Sequence, residues 1–308
     1  MQANNERTWG VSAAVGAYLI WGFLVLYWRL IDDLPSLDII CYRIVWTPAF
    51  MLLLFAAVGG WRGVFASEVR GLFGNPGQAL RLFAASLLIS LNWFTYVFAV
   101  NHNHVAEASL GYFINPLLNF VLSILFLRER LSRAGAVACV FALAGVIVVS
   151  VQAGVVPWIS LVLALTFSLY GLIKVRIKLH SYTGLMMETL LILPLALIYL
   201  SVFADAGFMG CDAKANALVI GAGIATAVPL LLFAEAVPRI SYISVGFIQY
   251  ISPSITFLLS VFVFREPIPP MKLLGFCFIW IGILIFCIDS VRTARGRDPR
   301  RRTEEAEA

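Results

Sequence analysis

A chain of 308 residues that is 61% hydrophobic and 13% charged, with a mean hydropathy of +0.92, cannot furnish a soluble domain's surface, which takes about a quarter charged residues. Its net charge of +5 does not point to nucleic acid, because the basic residues are distributed between apolar runs. The expected solvent is a lipid bilayer.

Runs of about 20 apolar residues, enough to cross a bilayer, predict ten spans. The first, 10–29, continues into WRLIDD with no small-residue cleavage site, so it reads as a retained helix rather than a signal peptide. The second, 38–58, carries Arg43. After a longer loop at 59–80 comes the third, 81–101, with Asn92, Trp93 and Tyr96. The loop NHNHV at 101–105 follows, and its His102 and His104 lack further ligands, so no metal site is expected. The fourth span, 106–127, contains YFINPLLNF at 112–120. The fifth is 134–151, the sixth 157–173, and the seventh, 184–203, carries Glu188. A second long loop, 204–214, precedes the eighth, 215–234. The ninth, 242–264, contains QYISPSITF at 249–257; the tenth, 272–290, leads into a charged tail at 291–308.

Basic residues follow every second span: Arg62, Arg70 and Arg81, then Arg128, Arg130 and Arg133, then Lys174, Arg176 and Lys178, then Arg239, and finally the tail. Alternate loops hold only Arg29, Lys214, Arg265 and Lys272. Positive residues stay on the cytoplasmic side, so both termini are expected there. The cysteines, five and scattered, outline neither a disulfide framework nor a metal site.

Laying residue n over n+137 pairs Ile114 with Ile251, Pro116 with Pro253, Phe120 with Phe257, Ser123 with Ser260, and Arg128-Glu129 with Arg265-Glu266. The chain therefore divides into a first five-helix repeat, 10–151, and a second, 157–290. Five is odd, so the second enters the bilayer from the opposite side, as in transporters whose site lies between inverted repeats. The expected fold is an all-α integral membrane protein of ten transmembrane helices in two inverted five-helix repeats. Ala138 and Gly145 overlay Gly275 and Gly282, which predicts close helix packing, within the fold or between protomers.

At about 100° per residue, Tyr112, Asn115, Asn119 and Ser123 share one helix face, and their partners Gln249, Ser252, Thr256 and Ser260 are also polar. Pro116 and Pro253 each bend their helix and free the carbonyl four residues back, where it must meet protein, water or ligand. The stripes either bond neighbouring helices together or line a central wet cavity. Bulky amphipathic Tyr112 and Gln249 beside kinks favour the cavity. Tyr112, Asn115, Gln249 and Ser252 are the candidate substrate-binding residues, with Asn92, Trp93 and Tyr96 as further wall.

Arg43 and Glu188 are the charges that intrude furthest into spans, which marks them as functional candidates. Each lies roughly 7 Å deep from opposite ends, which leaves some 15 Å between them in depth and predicts no direct pair. Arg43 can also snorkel outward. Glu188, too short to do so, is the candidate for coupling to a proton or another ion. No phosphate loop, metalloprotease or nucleophile-elbow motif is present, so neither enzyme chemistry nor a cofactor is expected.

The run NWFTYVFAVNHNHVAEASLGYFINPLLNFVLSILFLRERL at 92–131, with AYLIWG at 17–22, GLMMETLLILPLALIYL at 184–200, AVPLLLFAEAVPR at 227–239 and GFIQYISPSITFLL at 246–259, closely resembles the RarD-type permeases of the EamA branch of the drug/metabolite transporters. The resemblance implies ten helices in two inverted repeats around a central path in the bacterial plasma membrane. Some members are described for chloramphenicol sensitivity or resistance. The expected function is thus a secondary transporter that moves small organic solutes, metabolites or drugs, outward by alternating access. The rivals are a non-transporting scaffold or sensor, whose stripes would be dry packing, and a membrane-embedded lipid-modifying enzyme, for which no nucleophile–base constellation exists.

Overall fold

Backbone polar groups have no water to bond within a bilayer, so each apolar run must satisfy its own, and helices do so. The computed structural model describes residues 2–31, 33–58, 61–101, 105–153, 158–204, 209–210, 212–265 and 269–296. It is built of helices α1 (Gln2–Trp28), α2 (Ser36–Val58), α3 (Trp61–Gly74), α4 (Pro76–Asn101), α5 (Val105–Phe126), α6 (Arg133–Ala153), α7 (Trp158–Arg176), α8 (Ser181–Val202), α9 (Ala213–Ala236), α10 (Tyr242–Gln249), α11 (Ile251–Phe262) and α12 (Pro270–Gly296). Among the described residues, nine segments are long and apolar enough to cross a membrane, and Leu110–Phe126 of α5 is a shorter apolar helix. Leu53, Val151, Leu195 and Phe262 stand outward on these helices, the apolar exterior that lipid requires.

Three elements differ from their sequence expectation. Part of the expected loop at 59–80 is helical: α3 is amphipathic, and Asn75 caps α4, its Oδ1 accepting from Gln78 N at 3.1 Å. The sixth span runs on to Arg176, which draws Lys174 into the helix. The ninth is split at Tyr250 into α10 and α11, three residues before Pro253, whereas α5 continues through Pro116. A missing N–H at Pro253 leaves the Gln249 carbonyl without its helical donor; the break falls there. The expected His102 and His104 loop and the tail beyond 296 lie outside the described residues.

The helices pair across the chain. α1 packs on α9 and α4 on α7; α5 packs on α7 and α1 on α10 and α11; α2 packs on α9 and α4 on α8. α5 is followed by Arg128 and α11 by Arg265, each left-handed with φ 54°, a conformation that few residues other than glycine adopt. Immediately after Arg128, Glu129 reaches across to cap α10, its carboxylate accepting from Tyr242 N at 2.7 Å and Ile243 N at 3.0 Å.

The small residues meet within the fold, where α6 crosses α12. A methyl added at Gly145 would lie 2.6 Å from the Gly275 carbonyl oxygen, and one at Gly282 would lie 2.7 Å from that of Ala138. Backbones this close exclude side chains. Gly145→Val is therefore expected to lower stability by about 1–3 kcal/mol through overpacking, read as an earlier melt in detergent; an unchanged melt would mean that the two helices separate freely.

Candidate functional site

The stripe residues come together, bonded to one another. Asn115, Asn119 and Gln249 are all 4% exposed or less. Gln249 Nε2 donates to Asn115 Oδ1, Asn119 Nδ2 donates to Gln249 Oε1 at 2.9 Å, and the Tyr18 hydroxyl donates weakly to the same Oε1 at 3.4 Å. Asn115 Nδ2 donates to the Ala164 carbonyl at 2.8 Å and to Ser168 Oγ at 3.0 Å. The result is a closed polar seam of α5, α7, α10 and α1. It is not fully satisfied: Asn119 Oδ1 is buried without a partner. Ser252, beyond the break at Tyr250, is half-buried and makes none of these bonds. Asn92 is likewise buried and joins α4 to α7, donating to Leu163 O at 2.8 Å and Thr166 Oγ1 at 3.0 Å.

Tyr112 behaves differently. It shares the inner face of α5 with Asn115, Asn119 and Ser123, within an arc of roughly 80°, while exposed Val121, Ile124 and Leu125 occupy the opposite face. Even so, Tyr112 is 45% exposed. An open side chain on the inward face of a helix looks into a recess between helices rather than into lipid. Its ring meets that of Tyr96 edge-on at 6.2 Å, and both hydroxyls lie in the electrostatic field of Arg43. The Arg43 guanidinium sits 4.8 Å from the Trp28 ring and 5.5 Å from the Trp93 ring, and its Nε donates to Thr226 Oγ1 at 2.8 Å. Four of the sequence candidates, Arg43, Trp93, Tyr96 and Tyr112, thus surround one place, with Trp28 and Thr226 added.

Glu188 is 2% exposed and takes a partner that lay outside the sequence reading: Lys174 Nζ at 2.8 Å, with the Tyr170 hydroxyl donating at 3.1 Å. The sequence places Lys174 in the inner loop after the sixth span, which it ends at 173; the signal available is its helical spacing from Tyr170, four residues earlier. Arg43 and Glu188 therefore have separate partners.

Lys174 also borders a cavity of about 420 Å³ at the end of the bundle that carries Glu6, Glu68, His180, Glu235 and Arg239. Several of its polar rim groups are paired. Arg239 pairs with Glu6 at 2.9 Å and Glu235 at 2.6 Å, and Glu68 Oε1 lies 2.8 Å from His180 Nδ1. Burial alone would raise the Glu68 carboxyl, but hydrogen bonds from Thr183 and His180 outweigh it and hold the group below its ordinary range. Such a group stabilises above the unfolded value, about 4.3, and its contribution is lost as pH falls through the lower folded value. Glu68→Gln should therefore loosen α3 at neutral pH, seen as faster hydrogen exchange, with the gap to the parent closing below about pH 4; a gap independent of pH would assign the effect to packing.

Among the described residues no group of histidine, cysteine or acidic side chains could hold a metal.

A family model described as the EamA-like transporter family matches residues 8–151. The chain is 44% identical to the "Uncharacterized transporter YojE" of Bacillus subtilis, over 94% of this chain and 97% of that one. It is 40% identical to "Protein RarD" of Escherichia coli, over 96% and 99%, and 29% identical to the "Chloramphenicol-sensitive protein RarD" of Pseudomonas aeruginosa, over 93% and 96%. A solved structure described as "Crystal structure of protein" superposes with a TM-score of 0.69 at 18% identity, over 91% of this chain and 97% of the other, a likeness of fold.

Proposed function

The chain belongs to the EamA family of transporters, in its RarD-type branch, and on that premise we propose that it is a secondary transporter exporting small organic solutes by alternating access between two inverted five-helix halves. In this reading 10–151 and 157–290 are the halves, α5 supplies the tenth crossing, and both termini are cytoplasmic in a bacterial plasma membrane. The helix pairings support it. Pairings map onto counterparts when the halves are exchanged: α1 on α9 answers α4 on α7, and α2 on α9 answers α4 on α8. The matched left-handed Arg128 and Arg265 support it too.

The observation that carries the proposal is the amide seam of Asn115, Asn119 and Gln249, bonded between the halves, with the Arg43–Tyr112 recess and the charge-rimmed cavity opening elsewhere in the bundle. The seam is the barrier; the recess, with Tyr112, Trp93 and Tyr96, is where solute sits; Asn115, Gln249 and Ser252 meet it once the barrier parts. The Glu188–Lys174 pair is the candidate for coupling to a proton, and an unchanged pH profile of flux in Glu188→Gln would remove it from that role.

The test is a reversible lock. In a background with the native cysteines replaced, Asn115→Cys/Gln249→Cys is oxidised in vesicles. Solute flux should stop and return on reduction, while Tyr112→Cys should react with a soluble thiol reagent from one side only. Full flux with the cross-link in place would show that the halves never part here. A scaffold or sensor would give neither flux nor one-sided labelling.

A further inference from the structure

We propose that the recess around Arg43 recognises the carboxylate of a small monoanionic organic solute whose flat, apolar body lies against the surrounding aromatic rings. This rests on the transport reading above and names the chemistry that its site takes.

Arg43 is a cation with unspent donors. Its Nε is engaged by Thr226 and its guanidinium lies by Trp28 and Trp93. Among the described residues it forms no ion pair, and Nη1 and Nη2 make no hydrogen bond. Two other cations among the described residues do have acidic partners, Lys174 in Glu188 and Arg239 in Glu6 and Glu235. A lone charge inside a span is costly and marks a functional place. Arginine carries five N–H donors in a fixed fork, and one is used. The free edge suits the two oxygens of a carboxylate.

The surroundings narrow the class. With one cation in the recess, a dianion such as phosphate would keep an uncompensated charge. A zwitterion would need an acidic acceptor for its ammonium group. The acidic group nearest along α2, Asp38, is buried and already accepts from the Tyr199 hydroxyl at 3.0 Å. Trp28, Trp93, Tyr96 and Tyr112 provide flat rings on several sides, and Tyr112 leaves room beside it.

The experiment titrates the purified full chain in detergent with 3-phenylpropanoate, with 3-phenylpropanamide and with phenylalanine, binding being read by calorimetry. The acid should bind at least tenfold more tightly than either the amide or the zwitterion. Arg43→Gln should weaken the acid at least tenfold while leaving the amide unchanged, and Arg43→Lys should recover part of the loss. Equal binding of acid and amide, or an acid affinity indifferent to Arg43→Gln, overturns the assignment. If the arginine variant does not fold, the comparison of acid with amide in the parent chain decides alone. Absence of binding by all three, with flux that the reversible lock still controls, would refute the carboxylate class and spare the transport reading. Arg43-dependent binding without any flux would do the reverse.

Discussion

Replacing Glu188 by leucine is expected to lower folding stability by about 3–5 kcal/mol, the cost of leaving a buried charge without its partner. Adding Lys174→Met in the same chain should return most of the loss. The side chains of the pair are 4% and 2% exposed, so removing Glu188 leaves the Lys174 ammonium buried without its counter-charge. Each charge alone is a liability; an apolar pair of similar volume is often neutral or better. Tyr170 complicates the single variant further, since its hydroxyl loses the carboxylate it donates to. Denaturant or thermal melts of the two single variants and the double variant in detergent give the coupling directly. Strictly additive losses would mean that the two side chains do not depend on each other. A double variant that folds but has lost the pH dependence of flux would separate the structural and coupling roles.

Gln249→Leu should cost about 3 kcal/mol or more, the sum expected when several buried polar groups lose partners at about 1–3 kcal/mol each. Three groups are affected: Asn115 Oδ1 loses a donor, while Asn119 Nδ2 and the Tyr18 hydroxyl lose an acceptor. Asn119 Nδ2 retains only a long contact of 3.5 Å to Asn115. The same variant should also slow flux, because leucine cannot offer a solute the amide that glutamine offers once the seam parts. Melting and vesicle uptake on one preparation measure both. A loss under 1 kcal/mol would mean that water replaces the glutamine and that the seam is wetter than its burial implies.

Much of the architecture was legible because its causes are local. Ala138, Gly145, Gly275 and Gly282 announced a close crossing through their size alone, and α6 and α12 make it. The stripe through Asn115 and Asn119 is set by helical periodicity, which belongs to one segment. What those amides bond to belongs to two. Nothing in the spacing of α5 says that Asn115 meets Ser168 or that Gln249 answers Asn119, so an open cavity and a closed seam looked alike. Lys174 was missed for a different reason. Hydropathy ends a span at the first charge, yet a lysine whose charge is met by a neighbouring carboxylate costs far less, and the helix runs on past it. Trp28 and Thr226 carry no signal beyond type; only folding brings them to Arg43. The interruption at Tyr250 lies three residues before Pro253, whereas α5 runs unbroken through Pro116, which shows that a proline permits a break without compelling one.

That difference has a mechanical consequence. A rod with a joint swings about one point and keeps the ladders on either side intact; an unbroken rod has to flex along its whole length. In the proposed alternating-access cycle, the unbroken α5 would serve as frame and the segment that carries Gln249 would turn at Tyr250.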